Sequence, residues 1–135
     1  MTDLLVFYPQ GTHLHIEFLV TKYLERQPKT PAQKEMFMLS VKPVIKQLDD
    51  YVIKHNFKEI IEINLKGVPI SKLDLQTALE LINMCLEIRP DIGILEKIVI
   101  TNTNPIFNMI YKNARGKLPP RIGNILEVAS DSKFF

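Results

Sequence analysis

Two short β-branched runs, at residues 60–65 and 95–101, most constrain what this chain can fold into. Each has the length and composition of a buried strand, and a segment with helical spacing that starts at Asp74 lies between them. Strands that alternate with helices favour right-handed crossovers and a largely parallel sheet. The sequence therefore predicts an α/β fold, with a mostly parallel mixed sheet of four to five strands flanked by helices.

The sequence before these runs adds a strand and a long helix. Residues 13–18 alternate polar and apolar side chains, which is typical of a strand with one buried face. The segment Thr30-Pro31-Ala32-Gln33 is a strong helix start, because threonine can cap, proline suits the first helical position and glutamine completes a capping box. Apolar residues at helical spacing extend this helix to His55 or Asn56, with a kink at Pro43 left open.

Two shorter elements are predicted near the end of the chain. Asn104-Pro105 opens a helix that carries Phe107, Ile110 and Tyr111. Residues 125–128 suit either a last strand or a last helical turn, and residue propensities do not decide between these alternatives.

Length and cysteine content limit the class of protein. With 135 residues the chain has room for one domain, which we expect to span residues 1–135. Cys85 is the only cysteine, so no internal disulfide can form, and a reducing, intracellular setting fits best. The N-terminus lacks the pattern of a signal peptide, and no apolar run approaches the length of a membrane span. We expect a cytoplasmic protein, with peripheral attachment to membranes left open.

Positive charge is concentrated in one part of the sequence. The net charge is +2, too small by itself to indicate nucleic-acid binding. Between Glu96 and Glu127, however, the chain has five cations and no acidic residue, which gives this stretch +5 and leaves −3 for the rest. The five cations are Lys97, Lys112, Arg115, Lys117 and Arg121.

The sequence carries none of the common catalytic signatures, such as GxGxxG, GxxxxGK[ST], HExxH, GxSxG or CxxC. His13 and His15 would share one face of a strand, but two ligands are too few for a metal site, so we predict no metal and no other cofactor. Cys85 falls on the apolar side of its helix, where the expected role is that of a small buried hydrophobe. The chain is therefore predicted not to be an enzyme.

Several segments, in their order and spacing, resemble the CRAL-TRIO family of lipid-binding domains. Residues 60–67, IIEINLKG, resemble that family's strand followed by D-x-x-G, and residues 85–90, CLEIRP, resemble its helix end before a Tyr-Pro pair. Residues 97–111, a strand followed by NPIFNMIY, are similar to its strand–N–x–P–x–x–F segment. Residues 118–122, LPPRI, lie where the family enters its last strand, so the resemblance covers residues 58–128 and, more loosely, residues 13–57.

The chain also departs from the CRAL-TRIO pattern. Asn64 stands where the family usually has an acidic residue, and Arg89 where it often has tyrosine. The family's N-terminal helical domain has no counterpart in this sequence, and the short span from Asn113 to Arg121 does not fit the family's long gate helix. The resemblance therefore implies a minimal domain with a reduced or open lipid pocket.

This resemblance implies a function in lipid binding or lipid transfer, by sequestering a phospholipid or other hydrophobic ligand without transforming it. An apolar ligand between the sheet and its covering helices would contact a short stripe of the predicted last helix. That stripe consists of Phe107, Met109, Ile110 and Tyr111.

The same resemblance places part of the basic stretch near the ligand entrance, where cations would bind anionic headgroups at a membrane surface. The residues concerned are Lys112, Arg115, Lys117 and Arg121. Nucleic acid is not an expected partner, because the sequence has no recognised motif and no basic groove rich in aromatic residues.

STAS domains give a second, competing resemblance. They share the strand–helix order of residues 60–113, and Ser71 lies near the position of their switch serine, although the following Lys72-Leu73-Asp74 departs from the usual Asp-Ser-Ser/Thr-Gly pattern. This resemblance implies a protein-interaction or assembly domain without a small-molecule ligand. A homo-oligomer or a protein partner would then be bound by exposed apolar residues, for which Met36, Met38, Phe134 and Phe135 are the candidates.

Overall fold

The computed structural model describes residues 4–69, 92–117 and 120–129. Within these ranges the strands are β1 (Leu5–Gln10), β2 (His13–Leu19), β3 (Lys58–Asn64), β4 (Leu95–Thr101) and β5 (Leu126–Val128). The α-helices in the same ranges are α1 (Val20–Glu25), α2 (Pro31–His55), α3 (Pro105–Ala114) and the four-residue α4 (Pro120–Gly123). The helix predicted from Asp74, with Ser71 and Cys85, lies outside the described residues.

The five strands form one mixed sheet in which each strand neighbours the next in sequence, in the order β1-β2-β3-β4-β5. The β1–β2 pair is antiparallel, and the other three pairs are parallel. This confirms the predicted α/β fold with a mostly parallel mixed sheet. It also decides the alternative at residues 125–128 in favour of a strand.

A tight hairpin joins the antiparallel pair. Gln10 lies opposite His13, so the loop has only two residues, Gly11 and Thr12. Gly11 has a φ of 63°, whereas Thr12 is not among the residues with positive φ. A positive φ at the first loop position alone is the requirement of a type II′ turn, which favours glycine there.

The long helix α2 begins and ends at residues that the sequence marks. The Thr30 hydroxyl accepts a hydrogen bond from the backbone N–H of Gln33 at 3.1 Å, and the Gln33 side-chain oxygen accepts one from the Thr30 N–H at 3.3 Å. The predicted capping box is therefore confirmed. At the other end Asn56 adopts the left-handed conformation that terminates helices. The assigned helix runs through Pro43, on its exposed side.

One face of the sheet, here called the first face, is mainly apolar, with the buried Glu59 as an exception, and is covered by helices. It carries Ile61, Ile63, Ile98 and Ile100 from the two central strands, all buried. These side chains share one hydrophobic core with residues of α2 and with Phe107 of α3. Both helices therefore pack against the same face. The α2 residues in this core are Val41, Ile45, Leu48 and Val52.

The opposite face, here called the second face, is mainly polar. Side chains alternate between the two faces along each strand, and the strand register aligns His15 with Ile60 and Glu17 with Glu62. The polar residues brought to this face by β2, β3 and β4 include His15, Glu17, Glu62, Asn64 and Thr101. Three of them, His15, Glu62 and Thr101, are buried.

Candidate functional site

The helix that was predicted to contact a ligand, α3, contributes to two different environments. Phe107 is only 2% exposed and belongs to the hydrophobic core, and the half-buried Tyr111, one turn later, packs against that core. Met109 is 60% exposed. The structure therefore brings Phe107 and Tyr111 to the core and places Met109 outside it. The Ile110 side chain lies outside the described part of the chain, and a ligand-lining role for these four residues stays a prediction.

The predicted headgroup-binding cations are described only in part. Lys112, in the last turn of α3, and Arg115, just after it, are both exposed. The Lys117 and Arg121 side chains lie outside the described residues. Lys97, the remaining cation of the basic stretch, lies on β4 with its Nζ 3.4 Å from a Glu127 carboxylate oxygen. Among the described side chains of this stretch, the two exposed cations therefore lie at the end of α3.

A groove between α1 and α2 is a concave surface that the described residues form. Its volume is about 660 Å³, within the roughly 300–1,000 Å³ typical of ligand sites. Four apolar residues line it: Leu24 from α1, Pro28 from the connection, and Met36 and Phe37 from α2. Two cations, Arg26 and Lys29, and one anion, Glu25, lie among the polar lining residues.

Local sequence features position the two walls of this groove. The buried Tyr23 of α1 contacts Phe37 of α2 edge to face, with ring centroids 5.5 Å apart, and so holds the two helices together. Gln33 anchors the connection, because its side-chain oxygen also accepts a hydrogen bond from the Lys29 backbone N–H at 2.8 Å. The Lys29 backbone is thereby fixed at the start of α2.

The chemistry of the groove suits a ligand with an apolar part and a negative charge. Its apolar wall offers burial, and the two cations outnumber Glu25. The surrounding sequence is also cationic, since residues 20–43 hold five Lys or Arg and two Glu, a net charge of +3. At the edge of this region Met36 is 71% exposed and Leu39 is 61% exposed.

A buried hydrogen-bonded cluster on the second face is the other concentration of polar chemistry. The His15 Nε2 lies 3.0 Å from one oxygen of the Glu62 carboxylate. The other oxygen accepts a hydrogen bond from the Thr101 hydroxyl at 2.5 Å. Glu62 thus joins β2 to β4 across β3. The carboxylate lies between the histidine and the hydroxyl and contacts both of them.

Tyr8 covers one side of this cluster. It lies opposite His15 in the hairpin register, and the two rings have centroids 4.7 Å apart. Burial raises the pKa of the Tyr8 hydroxyl above its ordinary value of 10.0, and the negative charges of Glu62 and Glu17 raise it further.

A second polar chain lies at the carboxyl ends of the central strands. The Asn64 amide nitrogen donates to Glu17 at 2.7 Å, and the Asn64 amide oxygen accepts from the Asn102 side chain at 2.6 Å. The same oxygen accepts from the Lys66 backbone N–H at 2.9 Å. Asn64, which departs from the CRAL-TRIO pattern, therefore uses both ends of its amide. A carboxylate at this position would lack the donor for Glu17.

The two histidines of β2 have separate carboxylate neighbours. His13 Nε2 lies 2.5 Å from a Glu96 oxygen, and His15 contacts Glu62. Across the described residues, no three His, Cys, Asp or Glu side chains come together in a group that could hold a metal ion. Nor does any helix in the described ranges have the length and hydropathy needed to cross a bilayer.

A scan against protein-family models finds no match. A search of curated proteins finds none either. The CRAL-TRIO and STAS resemblances therefore stay predictions.

The sequence analysis did not predict the groove, although nearby residues in the sequence mark one of its two walls. The capping box places the start of α2, and Met36 and Phe37 follow it by one turn. The missing element was α1, whose preceding residue Leu19 makes no capping hydrogen bond with its side chain. Without α1 the opposite wall of the groove could not be placed.

Proposed function

We propose that this chain is a lipid-binding module that docks reversibly on anionic membranes through the groove between α1 and α2. The observation that carries the proposal is the composition of the groove, in which Leu24, Pro28, Met36 and Phe37 form an apolar wall beside Arg26 and Lys29. A phospholipid with a net negative headgroup has the matching chemistry. Sequestration or transfer of a lipid, as the CRAL-TRIO resemblance implies, is part of this proposal.

Magnitudes support docking that is reversible. Each cation near an anionic membrane surface contributes about 1 kcal/mol, and fully burying a large apolar side chain contributes about 1.5–3 kcal/mol. Two cations with the exposed Met36 and Leu39 therefore supply about 5–8 kcal/mol before the cost of association, which corresponds to micromolar affinity at most. The exposed Lys112 and Arg115 would add to the attraction if they face the same membrane.

Vesicle co-sedimentation tests this proposal. We expect binding to vesicles of phosphatidylcholine with phosphatidylserine, weaker binding at high salt, and little binding to phosphatidylcholine alone. Met36→Asp and Lys29→Glu should each weaken binding about tenfold, which corresponds to about 1.4 kcal/mol. The matched controls are Ile53→Asp and Lys54→Glu, which make the same changes at exposed positions near the other end of α2.

Two further experiments test which surface docks on the membrane and whether the protein holds a lipid. The double change of Arg115 and Lys117 to Glu tests the basic stretch after α3, and a loss confined to this variant would assign docking to that stretch instead of the groove. Equal binding to both kinds of vesicle, or to neither, would remove the membrane role. Native mass spectrometry of protein purified from cells, followed by lipid extraction, tests sequestration, which a protein free of lipid that takes up no added phospholipid would contradict.

The alternative is a protein-interaction or assembly domain without a small-molecule ligand. It is favoured by the exposed Leu39, which lies one turn after Met36 and is not part of the groove lining. Of the other candidate contacts, Met38 is half-buried, and Phe134 and Phe135 lie outside the described residues. Under this alternative Leu39→Asp abolishes partner binding while vesicle binding is absent from the start.

A further inference from the structure

The outer edge of β1 combines three features that seldom occur together. Among the described strands it is a terminal one, and its partner there is β2. It exposes three consecutive large side chains, with Val6 45%, Phe7 53% and Tyr8 40% exposed. Residues 4–12 also contain no charged residue, although edge strands are usually protected by charge.

The hairpin decides which backbone groups face this edge. In a two-residue hairpin the residues that flank the loop exchange hydrogen bonds, so Gln10 bonds to His13. By the same alternation, the backbone groups of Tyr8 and Val6 also bond to β2. The backbone N–H and C=O groups of Leu5 and Phe7 then point away from β2, towards the outer edge. The backbone groups of β2 alternate in the same way between β1 and β3. His13 bonds to β1, and the carbonyl of the preceding Thr12 accepts a hydrogen bond from the Lys58 N–H of β3 at 3.2 Å.

Pro9 is two residues after Phe7, so its backbone faces the outer edge as those of Leu5 and Phe7 do. Its missing N–H therefore costs no hydrogen bond to β2. It removes one donor from that edge and no acceptor. The edge therefore keeps the N–H groups of Leu5 and Phe7 and all three carbonyls. A partner strand has to match this pattern.

We propose that β1 pairs antiparallel with β1 of a second copy of this chain, about a two-fold axis at Phe7, so that the two sheets become continuous. This register pairs Phe7 with Phe7 of the second copy by two reciprocal backbone hydrogen bonds. Each Leu5 N–H then donates to the Pro9 carbonyl of the other copy. Pro9 of each copy cannot donate to the Leu5 carbonyl of the other, so two bonds related by the axis are missing from this central pattern.

Side chains across this axis are complementary as well. Pairs directly opposite on one face of an antiparallel sheet have their Cβ atoms about 4.5–5.5 Å apart. Phe7 meets Phe7 of the second copy, Val6 meets its Tyr8, and Leu5 meets its Pro9. All of these contacts join apolar or aromatic groups, and no charge is buried in any of them.

The other edge of the sheet does not offer the same partner. Its strand β5 has only three residues, and the middle one, Glu127, is exposed and charged. Of the two described edge strands, another β1 is therefore the one that matches the six-residue length and the uncharged character of β1. Pairing of identical edges closes a two-fold dimer, whereas β1-to-β5 pairing would continue into a filament.

Size-exclusion chromatography with light scattering tests the proposal on the full chain, independently of lipid. We expect a mass twice that of the 15.6 kDa chain at micromolar concentration. Phe7→Lys and Val6→Lys should each raise the dissociation constant of the dimer at least tenfold. The matched control, Ile53→Lys, changes an apolar residue that is 62% exposed on α2 and should leave the dimer intact.

Circular dichroism of each variant shows whether it remains folded, and two different positions on β1 guard against one that does not. A folded wild-type monomer at 100-fold higher concentration would overturn the proposal. So would a dimer that both β1 variants leave intact, or one that Met36→Asp disrupts while the β1 variants do not. The last result would move the interface to the start of α2.

Discussion

The two faces of the sheet are held by different kinds of interaction. On the first face Ile61, Ile98 and Phe107 contribute to one apolar core with α2. On the second face the Glu62 carboxylate joins His15 to Thr101. Apolar contacts are non-directional and tolerate swaps of similar volume, whereas a buried polar group is costly once a partner is removed. The first face should therefore respond to lost volume, and the second to lost partners.

The largest effect is expected from volume removed on the first face. Ile98 is fully buried in the core, so Ile98→Ala should lower the free energy of unfolding by about 2–5 kcal/mol. Urea denaturation measures this value. Ile53→Ala, at a position that is 62% exposed, should change it by less than about 0.5 kcal/mol. Similar values for the two variants would show that the first face is not the main apolar core.

On the second face, a change of chemistry that keeps the side-chain volume should still lower the free energy of unfolding. Glu62→Gln removes the charge and replaces one acceptor oxygen by a donor, so either His15 or Thr101 loses its acceptor. The expected loss is about 1–3 kcal/mol. The control is Glu127→Gln on the same face, where the pair with Lys97 is exposed and worth about 0–1 kcal/mol. If both variants lose the same amount, the buried cluster contributes no special stability.

A smaller effect should follow from the helix start that holds α2 over the first face. Thr30→Ala removes the hydroxyl that accepts from Gln33 and should cost about 0.5–2 kcal/mol, measured as a lower melting temperature. Thr30→Ser keeps the acceptor and should restore the stability. A melting curve that Thr30→Ala leaves unchanged would mean that the capping box does not contribute to stability.

The smallest effect at neutral pH, and one specific to the second face, concerns Tyr8. Its pKa is raised in the folded chain by burial and by Glu62 and Glu17, so the unfolded chain loses this proton first. Stability is therefore unaffected below the unfolded pKa of about 10 and falls as the pH rises above it. Tyr8→Phe should make this alkaline decline shallower, as measured by urea denaturation at pH 7 and pH 10.5. Tyr51→Phe, on α2, should retain the full decline.

Local patterns in the sequence predicted much of the fold. The capping box of Thr30 and Gln33 and the strand β4 (Leu95–Thr101) are confirmed, because their signals lie within a few consecutive residues. The helix α1 was missed for the same reason. It has six residues and no side-chain cap, and its anchors Val20 and Tyr23 are recognisable only by their burial in a core formed with distant residues.

The candidate sites were harder to predict because they depend on contacts between distant parts of the chain. The alternation in β2 predicted one polar face, but not that His15 would be buried there, since its partner Glu62 is 47 residues away in sequence. The groove likewise needs the Tyr23–Phe37 contact, which places α1 beside α2. The ligand residues of α3, and the headgroup residues at its end and after it, were chosen by resemblance to a family and not from a local pattern.

Strand order has a consequence for how this protein acquires its structure. Within the described part of the chain each strand pairs with its neighbours in sequence, so every new pairing closes the shortest chain segment that the order of strands allows. Such a sheet has less entropy to lose before each contact forms than one whose neighbours are distant in sequence. During synthesis the hairpin of β1 and β2 can form before β3 leaves the ribosome. Each later strand can then pair with a neighbour that is already part of the sheet. We therefore expect folding to proceed from the N-terminus towards β5.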